Sequence, residues 1–351
     1  MKILQIMAGA DVGGAELFFE RLCVALHKRN SVEQRVIIRQ NPHRKQRLQT
    51  GGVDPVELKF GGKLDWTTSR AIKREIKSFK PDIVLTWMNR ATSMCPKAKK
   101  GEYVHIARLG GYYDLKYYAG CDHLIGNTQD IADYLVKEGW PAGKAHYLPN
   151  FVGSEQAKPI DRKIHYTPDG APLIVALGRL HENKAFDVLI NALSRVPSAY
   201  LWIAGEGPLL GELDKLAEKV AVKPRVRFLG WRDDATALLQ TADLFVCPSR
   251  HEPLGNTVIE AWAQHTPVVA ADSYGPGTLI THLESGVLVP VDDPVVMARA
   301  IRNVLEDPSL ASRIVENGRA EFEAHFTEDI VTAQYLEFFQ RTLEPCAASP
   351  V

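Results

Sequence analysis

Short apolar runs rich in β-branched residues alternate with amphipathic stretches along most of this chain. In the first half the runs are Lys2–Met7, Arg35–Arg39, Asp82–Trp87, Tyr103–Ala107, His123–Gly126 and His146–Leu148. Helical spacing of apolar residues marks Ala15–His27, Ser69–Phe79 and Gln129–Glu138 between them. Strands alternating with helices predict the α/β class, a parallel sheet covered on both faces. The pattern then restarts with Leu173–Leu177, Ala199–Ala204, Arg225–Gly230, Leu244–Pro248 and Pro267–Ala271, interleaved with helical Phe186–Leu193 and Leu209–Lys219. Between the halves, Asn150–Gly170 contains Gly153, Pro159, Pro168 and Gly170 and keeps no apolar period, as a linker does. Two doubly wound, Rossmann-like domains are expected, over residues 1–160 and 165–327, facing a cleft. After Asp292 the pattern is helical in three stretches, broken at Asp307-Pro308 and near Phe326-Thr327. The last, about 328–345, carries Ile330, Val331, Tyr335, Leu336, Phe338 and Phe339. So broad an apolar face must pack on something, and this helix is expected to cross back to the N-terminal domain.

Composition narrows the class. A chain of 351 residues suits two domains of roughly 150 each. No apolar stretch approaches the ~18 residues of a membrane span. One lysine, a short apolar run and then Asp11 read as a first buried strand, not a signal peptide, so the expected location is cytoplasmic. The five cysteines, Cys23, Cys95, Cys121, Cys247 and Cys346, are scattered and form no CxxC pair, which suits free thiols in a reducing compartment. Neither HExxH nor Asp-x-Asp occurs, so no tightly held metal is expected.

The net charge of zero hides an asymmetry. Residues 1–150 hold 24 Lys and Arg against 15 Asp and Glu, a balance of +9, and the remainder hold 18 against 27, a balance of −9. The basic half either meets an anionic lipid surface or anionic acceptor, or complements its own acidic half. No nucleic-acid partner is expected.

Three loops carry candidate chemistry. Gly9–Glu16 follows the first strand, and its paired Gly13 and Gly14 before a helix let backbone N–H groups approach an anion or a sugar. It has neither the GxGxxG spacing of a dinucleotide fold nor the Gly-Lys-Ser/Thr of a Walker loop, and a plain tight turn is the alternative. In the second loop, Arg179 and Lys184 lie five apart after the first strand of the second half. An Arg fork and a Lys point charge beyond a parallel strand's carboxyl end suit a diphosphate; a surface basic pair is the equal alternative. The third holds Glu252 in a loop and Glu260 inside an apolar helix, with Leu254, Gly255 and Asn256 at the helix start, where free N–H groups suit an anion or hydroxyl. Two solvated glutamates are the alternative. Glu206, in Gly205–Pro208, and Trp231-Arg232 end two further strands.

Together these segments resemble glycosyltransferase family 4, enzymes of GT-B architecture. The carrying residues are Gly13–Glu16, the LPNFV near the domain junction, LGRLHENKAFDVLI with Arg179 and Lys184, and Gly205–Pro208. Phe228–Gly230, the E-x7-E frame HEPLGNTVIEAWAQHTPVVA and ESGVLVPVDDP complete the set, in order over nearly the whole chain. The resemblance implies metal-independent, retaining hexosyl transfer from a nucleotide-sugar, UDP- or GDP-linked, to an acceptor hydroxyl, with no cofactor. It further implies a place in bacterial surface-glycan, lipopolysaccharide or lipid-linked glycan synthesis, peripheral to the inner face of the plasma membrane. Arg179 and Lys184 would hold the diphosphate, Glu252 with Leu254, Gly255 and Asn256 the sugar, and Glu260 the ribose. Gly13 and Gly14 would admit the diphosphate, and Glu206 would line the donor site. Glu16, Tyr112 and Tyr113 are candidates on the acceptor side.

The chain departs from the family pattern in places. Arg108 stands roughly where a His is usual near the donor sugar, free to bind a phosphate or an acidic acceptor or to pair with Asp114. Leu254 replaces a Phe, His265-Thr266 a Gly, and Thr278 a common Glu. A non-catalytic GT-B partner subunit and a sugar-nucleotide epimerase are the rival expectations.

Overall fold

The computed structural model describes residues 1–344 except Val12, Lys63, Leu64 and Lys100. Cys346 and the last position of the expected terminal helix lie outside the described residues. The chain divides into two compact units, residues 1–151 with 328–351, and residues 152–327.

The strands of the first unit are β1 (Lys2–Met7), β2 (Glu33–Arg39), β3 (Val56–Leu58), β4 (Ile83–Trp87), β5 (Val104–Leu109), β6 (His123–Gly126) and β7 (Ala145–Tyr147). All pair in parallel, in the order β3-β2-β1-β4-β5-β6-β7. Its helices are α1 (Gly14–His27), α2 (Pro42–Thr50), α3 (Trp66–Phe79), α4 (Met88–Met94) and α5 (Gln129–Lys137). Alternation along β1 sends Ile3 and Met7 to one face and Leu4 and Ile6 to the other. The first face is covered by α1 and by the terminal helix, whose Val331, Tyr335, Phe338 and Phe339 are buried with Phe18 and Phe19. The second is covered by α3 through Ile72, Ile76 and Phe79.

The second unit repeats the plan with β8 (Leu173–Leu177), β9 (Tyr200–Ala204), β10 (Val226–Phe228), β11 (Leu244–Cys247), β12 (Val268–Ala271) and β13 (Val287–Val289). These are again parallel, in the order β10-β9-β8-β11-β12-β13. Its helices are α6 (Phe186–Leu193), α7 (Leu210–Lys219), α8 (Ala235–Thr241), α9 (Asn256–Ala263), α10 (Tyr274–Leu279), α11 (Pro294–Glu306) and α12 (Pro308–His325). The terminal helix is α13 (Glu328–Leu343). Ile174 and Ala176 of β8 pack under α6 and α11, and Leu173 and Val175 pack under α8 and α9. Asp293 and Asp307 cap α11 and α12 through their side chains, each with Pro at the first helical position.

The structure adds elements that the apolar pattern does not predict. β3 and β13 are three-residue edge strands, too short to show a period. α2 is so polar that only Arg44 and Leu48 are buried in it.

Candidate functional site

In a doubly wound sheet, ligands collect beyond the strand carboxyl ends where the winding reverses, because neighbouring loops diverge there. In the second unit that point lies between β8 and β11. The loop after β8 begins at Gly178 and carries Arg179, then makes a 3₁₀ turn over Glu182–Lys184. Gly178 and Gly205 both sit at φ +146°, and a Cβ on Gly205 would stand 2.0 Å from the Gly178 carbonyl oxygen. A Cβ on Gly207 would stand 2.3 Å from the carbonyl oxygen of Leu180. Close backbone approach, not only turn geometry, therefore demands glycine here. Glu206 is exposed beside this contact, and its Oε1 accepts from the Trp231 N–H at 3.4 Å.

Lys184 and Glu252 meet across the switch point, the ammonium donating to the carboxylate. Their side chains are 23% and 13% exposed. Burial works to lower the Lys184 pKa, but the Glu252 carboxylate and the Cys247 thiol beside it together outweigh this and the net shift is upward. Arg179 is exposed, and its guanidinium has no ion-pair partner among the described residues. The loop after β11 is strapped to the loop after β8 by a residue the sequence reading passed over. Arg250 donates to Asp187 at 2.7 and 3.0 Å, to Asp292 at 2.6 Å and to the Glu182 carbonyl at 2.8 Å. The His251 N–H adds a bond to the Asn183 carbonyl at 3.2 Å. Next to Glu252, buried Leu254 leads to Gly255 at φ +78°, which starts α9 with Asn256 as its first residue. Glu260 is half-buried in that helix, between buried Ile259 and Ala261. Arg179, Lys184, Glu252, Glu206 and the start of α9 thus all lie beyond strand carboxyl ends of one sheet.

In the first unit the Gly9–Gly14 loop follows β1, which borders that sheet's own switch point. Gly13 caps α1 in extended conformation, and Gly14 is the first helical residue. Glu16, expected on the acceptor side, is 6% exposed and accepts from the Ala10 N–H at 2.8 Å. A Cβ on Gly9 or Gly13 would come within 2.3 or 2.4 Å of its carboxylate, so both glycines make room for it. Glu16 therefore shapes the loop from within. Fully buried Arg44 holds the same loop, donating to the Ala10 carbonyl at 2.6 Å and to Glu20 at 3.1 Å. Glu20 also receives Arg47. Pro42–Thr50 is polar along its length, with no apolar period to mark this buried network in the sequence.

Arg108 corrects the sequence reading. It does not pair with Asp114, which pairs with Lys116 instead. Nor does it present a phosphate-binding surface. The side chain points into the core, 1% exposed, where Nε donates to Tyr335 Oη at 2.8 Å and Nη2 donates to Asn150 Oδ1. Phe18 and Trp87 face its guanidinium at 4.6 and 4.8 Å. Aromatic faces and neutral acceptors disperse its charge in place of a carboxylate. His105 is buried too, its Nε2 3.0 Å from Thr86 Oγ1. Tyr112 is exposed, donating to Asp130 and stacking edge-on against Tyr134 at 5.2 Å. Tyr113 is half-buried, and its carbonyl accepts from Tyr134 Oη at 3.2 Å. Among the described residues, no cluster of three His, Cys, Asp or Glu could hold a metal ion.

Two doubly wound parallel units in one chain, the second with cations at its switch point, are the GT-B architecture. Two family profiles divide the chain, one for glycosyltransferase family 4 over residues 12–156 and one for glycosyl transferases group 1 over residues 157–321. The lipopolysaccharide core biosynthesis glycosyltransferase LpsE of Rhizobium meliloti is 37% identical over 341 residues, covering 96% of this chain and 98% of the relative. LpsD of the same organism is 34% identical over 347 residues, covering 97% and 98%. The crystal structure of Anabaena HepE in complex with UDP and glucose superposes with a TM-score of 0.84 at 19% identity, covering 97% of this chain and all of that one. The chain belongs to glycosyltransferase family 4.

Proposed function

We propose that this glycosyltransferase moves a hexose from a UDP- or GDP-linked donor to a hydroxyl of a lipopolysaccharide core or lipid-linked glycan, retaining anomeric configuration and needing no metal. The observation that carries the reading is the partially buried Lys184–Glu252 pair at the switch point of the second unit, with exposed Arg179 in the same loop as Lys184 and without an ion-pair partner among the described residues. As the glycosidic C–O bond breaks, negative charge grows on the leaving diphosphate. A fixed ammonium and a guanidinium fork meet that charge without reorganisation. A phosphate oxygen then receives the proton of the incoming acceptor hydroxyl, so no separate enzymic base is required. Glu252 and the amides at the start of α9 orient sugar hydroxyls, and Glu260 takes the ribose. The lipopolysaccharide assignment follows the names of LpsE and LpsD, and UDP is favoured by the HepE complex. The working location is the cytoplasmic face of the membrane, reached through the basic first unit; no helix among the described residues is long and apolar enough to cross it.

The test begins with thermal shifts in UDP, GDP and ADP and their sugars, with and without chelator, for wild type, Lys184→Ala and Glu260→Ala. A site filled at ~100 times Kd stabilises by about 2.7 kcal/mol. The expected result is a shift with one nucleotide, indifferent to chelator and lost in both variants. Transfer to truncated core acceptors, with product anomers read by NMR, then decides acceptor and stereochemistry. No shift with any nucleotide removes the donor site.

A further inference from the structure

The excess of cations in the first half is not evenly spread: residues 51–100 hold 11 Lys and Arg against 5 Asp and Glu. Four of these eleven cations stand on α3. At 3.6 residues per turn, Trp66, Arg70, Lys73 and Lys77 fall within a stripe of roughly 60°, with Arg74 at its margin. All five are exposed. Ile72, Ile76 and Phe79 occupy the opposite side and are buried against the sheet. The fold therefore uses one face of this helix and leaves the other unspent.

That outer face lacks counter-charge. Arg70, Lys73 and Lys77 make no ion pair with a described residue, and the helix's one carboxylate, Glu75, is half-buried and held by Arg35 at 2.9 Å. Arg74 reaches the same Glu75 only at 3.8 Å. The Asp65 carboxylate is spent on capping the helix. Beside the stripe, Ser69 Oγ donates to the Met94 carbonyl at 3.5 Å, which holds the segment after α4 against the helix. At the head of the stripe the Trp66 ring is 67% exposed, with the Arg70 guanidinium 5.4 Å from its centroid.

From this geometry we propose that the outer face of α3 is the surface by which the first unit docks on an anionic lipid bilayer. The proposal deepens the membrane contact inferred above and rests on it. The cations are strung along a convex helix and do not converge, so they suit a distributed sheet of negative charge and not one bound phosphate. A Trp with an apolar body and a polar N–H belongs at a headgroup interface. The apolar face of α3 is already committed to the core, so docking is adsorption and not insertion. It should weaken with salt as the Debye length falls below the ~8 Å of 0.15 M.

The test is co-sedimentation of the full chain with vesicles of phosphatidylcholine alone or mixed with phosphatidylglycerol. The variants are Trp66→Phe, an α3 triple (Arg70→Gln, Lys73→Gln, Lys77→Gln), and a control triple of exposed cations on the second unit (Lys215→Gln, Lys219→Gln, Arg299→Gln). Wild type should bind only the anionic vesicles, and less in high salt. The α3 triple should lose tenfold or more in partitioning while the control triple keeps most of it. Trp66→Phe should lose the vesicle-induced blue shift of tryptophan emission. Equal melting temperatures establish that the variants are folded. Failure of wild type to bind anionic vesicles overturns the membrane contact itself. Binding by wild type with an undiminished α3 triple, or equal losses in both triples, overturns the assignment to α3.

Discussion

Arg108 Nε donates to Tyr335 Oη at 2.8 Å, joining the end of β5 to the terminal helix across 227 residues of sequence. Tyr335 is fully buried, and Phe18 and Phe339 lie against its ring with centroids 6.1 and 5.9 Å away. The terminal helix is thereby tied to the first unit by a polar bond inside an aromatic cluster. Tyr335→Phe leaves the Arg108 Nε–H buried without that partner, which costs about 1–3 kcal/mol. Urea unfolding should show a lower midpoint with unchanged slope, and nucleotide affinity should hold because Lys184, Glu252 and Glu260 belong to the second unit.

Lys184→Ala removes the cation that faces Glu252 and leaves a mostly buried carboxylate without its counter-charge. Two losses are expected: nucleotide-dependent thermal stabilisation, and turnover by about 10²–10³-fold. Lys184→Arg should restore part of the stability and little of the turnover, since a planar fork replaces a point charge.

Arg250 is assigned as a positioning residue, because its fork reaches Asp187, Asp292 and the Glu182 carbonyl without being one of the predicted donor ligands. Arg250→Met should raise the donor KM by about tenfold with a smaller change in kcat, since loss of preorganisation weakens ground and transition states together. Arg250→Lys can satisfy only part of the set and should fall between. Steady-state kinetics on the three proteins checks the order.

Gly205→Ala forces a Cβ against the Gly178 carbonyl at a φ of +146°. Neither backbone can yield without moving the Arg179 loop. A destabilisation of roughly 2 kcal/mol or more is expected, with loss of nucleotide binding, measurable by denaturation and thermal shift. Gly211→Ala, where nothing lies within 4 Å, is the harmless control.

Acid should loosen the first unit. Burial holds the His105 imidazole down to about 4, against an ordinary 6.5. Burial, with His123 and Arg341 nearby, does the same to His146. The unfolded chain takes up these protons near 6.5 and the folded one only near 4. Stability is therefore full above 6.5 and falls as the pH drops through that window. The melting temperature should decline between pH 6.5 and 4, and His105→Gln should flatten the slope. An unchanged slope would show that the buried imidazole does not couple to folding.

The alternation of apolar runs and amphipathic stretches determined the class, the restart of the pattern after the linker, and the helices that close the chain. Periodicity encodes which face of an element is buried, so α1, α3, α5, α6 and α7 were legible to within a few residues. The glycine, Arg-Lys and E-x7-E loops were legible as well, because each follows a strand and a strand's carboxyl end is where such folds bind ligands. Only the tertiary structure decided what those loops touch. Lys184 and Glu252 lie 68 residues apart and meet because β8 and β11 are neighbours in the sheet. Arg108, expected to bind a phosphate or an acidic acceptor or to pair with Asp114, and Arg44, which no local pattern marks, are both buried, since burial of a charge depends on acceptors brought from elsewhere: Tyr335 and Asn150 for one, Glu20 and the Ala10 carbonyl for the other. The edge strands β3 and β13 exist because a neighbouring strand offers hydrogen bonds, not because their own residues repeat. Local sequence sets the period of an element; the identity of its partner is set by topology, which no single stretch of the chain contains.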